Sequence, residues 1–121
     1  IGDRVTDAWL AAYEVNTGKE AWRNDLEWTI PLESGRDYRM KYLRGCLLEA
    51  DGRTYALGEL GSFGIVKLTP KGFESLAQTQ LFLARSTWSL PVIHRGLLYV
   101  VQHESDMAGN PPRLLCYDFR K

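Results

Sequence analysis

The sequence lacks a surplus of charge of either sign, and it lacks any long apolar run. Fifteen Lys and Arg residues are balanced by fifteen Asp and Glu residues, so the formal net charge is zero. Nucleic acid and anionic membrane surfaces are drawn to a basic field, so neither partner is expected. The longest apolar candidate, Gly96 to Val101, has the length of a strand. No membrane span is predicted.

Cysteine is scarce, with two residues in the whole chain. Cys46 and Cys116 lie far apart and fit no metal-ligand or redox spacing such as C-x-x-C. Free cysteines are among the most buried side chains in proteins. We therefore expect two buried free thiols rather than a disulfide.

Patterns that would indicate an active site are also missing from the sequence. No serine lies in a G-x-S-x-G elbow, and no acidic cluster follows the calcium-loop pattern. His94 and His103 lack the accompanying ligands of a metal site and are interpreted as structural. The glycine-rich stretch Gly58 to Gly64 is interpreted as a turn between strands. No catalytic, cofactor-binding or metal-ligating residue is predicted.

What the sequence does contain is an internal repeat. The segment Leu47–Leu57 is echoed by Pro91–Val101 at an offset of about 44 residues. Gly52 aligns with Gly96, and a Tyr follows three residues later in each copy. An apolar strand, a turn of one polar residue and Gly, and an aromatic-bearing strand are typical of a β-hairpin. One hairpin is therefore predicted in each copy.

Further strands are predicted around these two hairpins. A third strand follows each hairpin, a more polar fourth strand follows the first, and the N-terminal region supplies another outer pair. About nine strands and no long helix predict an all-β fold in one domain. The additional strands are Phe63–Leu68, Phe73–Leu81, Arg113–Phe119, Trp9–Val15 and Glu20–Asp25.

Two connecting segments carry no strand pattern. The charged stretch Glu27–Gly45 is predicted to be a connection with an added loop, and a short helix is the alternative. The stretch His103–Arg113 contains two prolines, which exclude a continuous strand, so a mobile surface excursion is expected. Trp22 and Trp88 are predicted to pack between neighbouring sheets.

The segment from Ala12 to Trp22 resembles a known repeat. Its residues Ala12, Glu14, Thr17, Gly18, Lys19 and Trp22 resemble the A-x-D-x-x-T-G-K-x-x-W motif of the pyrroloquinoline-quinone (PQQ)-like β-propellers. The resemblance implies a partial β-propeller of about two and a quarter four-stranded antiparallel blades. Residues 1–26 would form half a blade, 45–81 a full blade and 88–121 a three-stranded partial blade of one 1–121 repeat segment. Gly18 would supply the positive φ of a tight hairpin turn.

The resemblance also implies a function. The first hypothesis is a non-catalytic structural or protein-binding scaffold in the periplasm or outside the cell. Its partner would be protein, either the remaining blades or another copy. The alternative is the C-terminal part of a PQQ-dependent alcohol or sugar dehydrogenase, for which PQQ and calcium would be the cofactors. A carbohydrate-binding surface of exposed aromatic residues is a third possibility. The start at Ile1, without Met or a signal sequence, is expected of a processed chain, an engineered chain or a fragment of a longer protein.

Overall fold

The computed structural model describes residues 9–120. Within this range the chain forms eleven β-strands and no helix. The strands make four antiparallel sheets, and none of the four closes on itself. The strands are β1 (Trp9–Tyr13), β2 (Glu20–Asp25), β3 (Glu27–Pro31), β4 (Asp37–Lys41), β5 (Gly45–Ala50), β6 (Arg53–Gly58), β7 (Ser62–Thr69), β8 (Gly72–Gln80), β9 (Val92–His94), β10 (Leu97–Gln102) and β11 (Arg113–Asp118).

The predicted all-β class is confirmed, and each of the nine predicted strands is present with boundaries shifted by a few residues. Residues 1–8 of the predicted N-terminal half blade, and Lys121, lie outside the described residues. Strands β5 to β8 form a four-stranded sheet and β9 to β11 form a three-stranded sheet, both in sequence order. Two separate hairpins, β1-β2 and β3-β4, complete the set.

The two predicted hairpins share the same turn chemistry. Asp51 and Gly52 have φ values of 51° and 69°, and Arg95 and Gly96 have values of 51° and 75°. Two consecutive residues with positive φ are what a two-residue turn needs to match the twist of its strands. The N-terminal hairpin differs, because residues 14–19 make a longer connection than the predicted tight turn. Gly18 nevertheless has the expected positive φ of 68°.

The main core lies between the four-stranded and the three-stranded sheets. We call the face of the β5–β8 sheet that carries Tyr55, Leu57 and Phe63 its front face. These side chains are buried against Leu98 and Val100 of β10. The rings of Tyr55 and Phe63 stack with centroids 5.9 Å apart. Face-to-face burial of this kind is the dominant stabilising term for a small β domain.

A second core covers the back face of the same sheet. This face carries Ala56 and Val66, and Leu26 and Tyr42 pack against it. Small residues on the sheet make room for Tyr42, since a Cβ on Gly64 would clash with the Tyr42 hydroxyl. Burial raises the pKa of the Tyr42 phenol to about 12. The four-stranded sheet is thus covered on both sides.

The predicted loop or helix over Glu27–Gly45 is wrong, because most of this segment forms the β3-β4 hairpin. Trp28 pairs with Met40 and Ile30 pairs with Tyr38 across the two strands. Apolar residues occupy alternate positions in both strands, with charged residues between them in β4, which is the period of a half-buried strand. The dense charge hides this alternation in the sequence. Trp28 also meets the Tyr42 ring edge to face, with centroids 5.1 Å apart.

Trp22 joins the N-terminal hairpin to the four-stranded sheet. Its indole Nε1–H donates a hydrogen bond of 3.2 Å to the carbonyl of Thr69. Its ring centroid lies 6.3 Å from that of Phe73 on β8. Trp22 is half-buried, so the predicted packing role agrees with its contacts, although the ring is not fully enclosed.

Leu98→Ala should lower the free energy of unfolding by about 2–5 kcal/mol, because Leu98 is fully buried between the two sheets and truncation leaves a cavity. Leu114→Ala is the matched control on the opposite face of the same sheet. Leu114 is 66% exposed, so its truncation should change stability by no more than about 0.5 kcal/mol. Denaturant unfolding measures both, and equal effects would contradict the assigned faces.

Candidate functional site

Several loops meet at one end of the two larger sheets. The β6-β7 and β10-β11 connections lie at this end, together with the segments that lead into β5 and β9. We call it the loop end. Leu43 and Ser86 both lie here with positive φ values of 55° and 60°, outside any two-residue hairpin turn. Non-glycine residues adopt this conformation only where the surroundings enforce it, which marks the loop end as the candidate site.

An ion pair between Arg44 and Glu59 organises the loop end. The guanidinium donates from Nε to Oε2 at 3.1 Å and from Nη2 to Oε1 at 2.9 Å. Glu59 is buried, and its backbone N–H donates to the carbonyls of Tyr42 and Arg44 at 3.1 and 2.7 Å. Its own carbonyl accepts a 3.0 Å hydrogen bond from the N–H of Thr87. Glu59 therefore links the segments that enter β5 and β9.

Trp88 lies over this ion pair, and the prediction that it packs between sheets is wrong. The residue is 52% exposed. The guanidinium carbon of Arg44 lies 4.6 Å from the centre of the Trp88 ring, within the range of a cation–π contact. The residues of this segment that do pack inside are Phe82 and Ala84. The indole is thus held on one side by a fixed cation while much of its surface faces solvent.

Thr87, next to this indole, is buried, and its hydroxyl has no hydrogen-bond partner among residues 9–120. A buried hydroxyl without a partner is destabilising. The neighbouring contacts of Arg44, Glu59 and Trp88 nevertheless hold this segment in place. The loop end therefore combines strained backbone, an orphan hydroxyl and an exposed aromatic ring.

The repeat relates these positions to one another. An offset of about 44 residues aligns Arg44 with Trp88 and Glu59 with His103. The segments that carry the aligned residues Trp88 and His103 also meet, because Oγ of Ser89, next to Trp88, lies 3.0 Å from His103 Nε2. Sequence analysis missed Arg44 and Glu59. These residues lie one position outside β5 and β6, so extending the first predicted hairpin by one residue at its open end would have placed them opposite each other.

The predicted excursion over 103–113 contains no strand before Arg113, as expected, but it is tied down by a buried carboxylate. Oδ1 of Asp106 accepts hydrogen bonds from the N–H groups of Ala108 and Asn110 at 3.0 and 2.8 Å. Oδ2 accepts from the Asn110 amide at 2.8 Å and from the Arg113 guanidinium at 3.2 Å. The described contacts therefore show an internally hydrogen-bonded loop rather than a loose one. The sequence signal that was overlooked is an Asp shortly before a Gly-Asn turn.

Gln102, the last residue of β10, adds further hydrogen bonds to this network. Its side chain is fully buried, and its Nε2 donates to the carbonyls of Glu104 and Asn110 at 2.9 and 3.2 Å. Its Oε1 accepts a 3.1 Å hydrogen bond from Arg113 Nε. Buried polar groups need such complete pairing to be tolerated. These partners explain why an amide can occupy the end of an otherwise apolar strand.

The two histidines are not brought together. His94 lies at the turn end of β9, whereas His103 follows the opposite end of β10. The six residues of β10 separate them by about 20 Å. Over residues 9–120, no group of three or more His, Cys, Asp and Glu side chains is placed to hold a metal ion.

The cysteines are free, as predicted, but their predicted burial is only partly right. Cys46 is half-buried beside the main core, and burial raises the pKa of its thiol. Cys116 is exposed on β11. The stretch from Gly58 to Gly64 connects β6 to β7 through a turn at Gly61, in agreement with the interpretation from sequence.

Searches against protein-family models, curated proteins and solved structures found no match to this chain. In the part of the chain that the structure describes, no helix has the length and apolar character required to cross a membrane. The chemistry of the loop end is therefore argued from its own residues. An exposed indole beside a fixed guanidinium can stack on an apolar or planar group of a ligand.

Lowering the pH should destabilise the loop around Asp106. Hydrogen bonds from the Asn110 side chain, with further bonds from backbone N–H groups and Arg113, hold the pKa of this carboxyl below its usual value. A depressed pKa stabilises the fold above the unfolded-state pKa of about 3.9, and this stabilisation is lost as the pH falls through the folded-state pKa.

Asp106→Asn should therefore be less stable than the wild type at neutral pH, and its stability should fall less steeply in acid. Urea unfolding between about pH 7 and about pH 2 measures the difference. Glu104→Gln removes an exposed carboxylate from the same loop and is the matched control. Parallel acid profiles for the wild type and Asp106→Asn would show that Asp106 does not carry the effect.

Proposed function

We propose that this chain is a segment of a PQQ-like β-propeller that serves as a non-catalytic, protein-binding scaffold. In this proposal β5–β8 is one complete blade, β9–β11 is three strands of the next, and β1-β2 contributes the outer strands of the preceding one. The proposal includes no cofactor. It also includes export to the periplasm or the cell exterior, which follows from the resemblance to PQQ-like propellers. Protein, rather than nucleic acid, is the proposed partner.

The stacking order of the sheets supports a blade arrangement. The back face of the four-stranded sheet packs on Leu26 and Tyr42, and its front face packs on β10 and β11. Strands of each sheet neighbour one another in sequence. Radial stacking of small antiparallel sheets, each covering the face of the one before, is the packing rule of propellers.

One observation carries the proposal: the repeat places matching apolar residues on corresponding faces of the two sheets. Leu48, Tyr55 and Leu57 of the first sheet pack into the main core. An offset of about 44 residues aligns them with Val92, Tyr99 and Val101 of the second sheet. These three lie on the face of the β9–β11 sheet that points away from the core.

That second face is the equivalent of a buried interface, yet it is open over the described residues. Val92 is 55% exposed, and Leu114 on the neighbouring β11 side of the same face is also exposed. Exposed apolar patches on a sheet are typical of surfaces that pack against protein. A scaffold that receives a further sheet on this face accounts for the pattern.

The 121-residue chain should self-associate in solution, because its open sheet face is apolar. Sedimentation velocity over a range of concentrations should show species larger than a monomer. The double variant Leu90→Glu/Val92→Glu places charge at the start of β9 and should shift the distribution to monomer. Leu76→Glu changes an equally exposed leucine on β8 and should leave the association unchanged. A wild-type chain that stays monomeric at every concentration would contradict the proposal.

A carbohydrate-binding surface is the second candidate, and the exposed ring of Trp88 favours it. Sugars stack their apolar faces on aromatic rings, and the Arg44 guanidinium fixes the indole in place. Trp88→Phe, which keeps an aromatic ring, and Trp88→Ala, which removes it, form a matched pair for a sugar titration.

Titration with PQQ and calcium tests the dehydrogenase alternative. Under the scaffold proposal, tryptophan fluorescence should show no saturable quenching by PQQ in the presence of calcium. Saturable quenching at micromolar PQQ would favour the alternative. Quenching by a neutral sugar that is lost in Trp88→Ala and kept in Trp88→Phe would favour the carbohydrate surface.

A further inference from the structure

We propose that the open edge of β11, with the groove beside it, is a strand-addition site that binds an extended peptide of a partner protein. The inference rests on the proposed scaffold function and names the kind of partner that the scaffold takes. The site is separate from the open sheet face, because it uses the backbone of β11 and the side chains of β8 rather than the outward side chains of β9.

The first element of the site is the outer edge of β11, which no strand of the described range covers. Strand β11 pairs with β10 on one side, and no strand of residues 9–120 pairs with it on the other. The N–H of Phe119 donates a 2.8 Å hydrogen bond to the carbonyl of Gly96, which continues the β10-β11 ladder. Backbone groups of alternate residues point the same way along a strand. Leu114, Cys116 and Asp118 therefore present their N–H and C=O groups to the open edge.

This edge carries few of the features that normally block strand addition. Natural edge strands are protected by charge, proline or bulges. Pro111 and Pro112 lie before β11, and the carboxylate of Asp118 is held by Arg120 Nη2 at 2.7 Å at its other end. Between these limits the strand reads Leu-Leu-Cys-Tyr in regular register with β10. The middle of β11 is thus an apolar edge without charge, proline or bulge.

The second element is an apolar groove of about 380 Å³ between β11 and the β7-β8 strands. Its lining includes Ile65, Ala77, Leu81, Tyr117 and Phe119. The Tyr117 hydroxyl donates to the carbonyl of Leu81 at 3.3 Å and joins the two walls. A strand paired to β11 would direct every second side chain toward this groove.

The third element is a template within the chain itself. Strand β7 holds the position in its sheet that β11 holds in the other, and the outer edge of β7 is paired with β8 along its whole length. Strand β2 in turn packs on the far side of β8, where Trp22 contacts Phe73 and Thr69. Outer strands thus lie over one another in the preceding sheets. The groove lies where an outer strand added to the β9–β11 sheet would pack over β8, as β8 packs over β2.

The partner chemistry follows from these three elements. The ligand is an extended segment without proline at the residues that pair with β11, because each must donate or accept a ladder hydrogen bond. Small or apolar side chains at alternate positions would fill the groove. The opposite side chains would face solvent and can be polar. Strand β8, with the sequence Gly-Phe-Glu-Ser-Leu-Ala-Gln-Thr-Gln, is an example of such a segment.

A labelled peptide with the sequence of residues 72–81 is the probe. At protein concentrations where sedimentation shows a single species, its fluorescence anisotropy should rise saturably with added 121-residue chain. The same peptide carrying Ala77→Pro should bind at least about tenfold more weakly, because it loses a ladder hydrogen bond. Equal binding of both peptides, or no binding of the first, would overturn the inference.

Two variants of the chain locate the site. Cys116→Pro removes an N–H from the open edge without touching the β10 ladder, and Cys116→Ser is its matched control. Ala77→Lys puts a charge into the groove, and Leu76→Lys changes the neighbouring residue, which does not line it. Cys116→Pro and Ala77→Lys should each weaken peptide binding about tenfold or more, whereas the two controls should bind like the wild type.

Circular dichroism and cooperative unfolding should show that each variant is folded. If Cys116→Pro does not fold, the Ala77→Lys and Leu76→Lys pair decides alone. Wild-type affinity in Ala77→Lys would overturn the site. If the wild-type chain self-associates and Leu90→Glu/Val92→Glu suppresses this association, but the peptide does not bind, the strand-addition inference is wrong. The scaffold proposal would not be affected by that result. A monomeric wild-type chain would instead count against the scaffold proposal.

Discussion

Burial of both faces of the four-stranded sheet is the constraint on which the remaining structure depends. Strand β6 supplies side chains to both cores, because Tyr55 and Leu57 lie on the front face and enter the main core, while Ala56 lies on the back face and enters the second core. Alternation of this kind fixes the strand register, since a slip of one residue would exchange the two faces. The small residues of the back face then admit Tyr42, and the large residues of the front face meet β10. The neighbouring elements are therefore positioned by one strand.

Polar interactions take over where the strands end. At the loop end, the Arg44–Glu59 ion pair joins two segments, and the Asp106 network holds the β10-β11 connection together. Both carboxylates are buried, and each is paired with an arginine: Glu59 with Arg44, and Asp106 with Arg113. Pairing of this kind is what makes a buried charge tolerable. The exposed Trp88 ring lies over the Arg44 guanidinium, and Leu90 and Met107 are further exposed apolar side chains of this end.

The sequence predicts those parts of the fold that depend on local chemistry. The turns at Asp51-Gly52 and Arg95-Gly96 are specified by residues that tolerate positive φ, and the hairpins follow from them. The β3-β4 hairpin was missed because its alternating apolar residues stand among many charges.

The candidate site was harder to predict, since its contacts join residues far apart in sequence. Trp88 illustrates the difficulty: a large aromatic residue is usually buried, and only the position of Arg44 shows why this one is held at the surface. Asp106 similarly requires knowledge of which backbone N–H groups converge on it.

The serial stacking of sheets has a consequence for folding order. When each sheet is covered mainly by its neighbours in sequence, stability is distributed along the chain as a sum of local sheet energies and interface energies. The interior sheet, with two covered faces, should exchange its amide hydrogens last. The β9–β11 sheet, with one covered face, should open earlier in partial unfolding events that leave β5–β8 intact. Cooperativity in this molecule would then be graded from the middle outward rather than uniform.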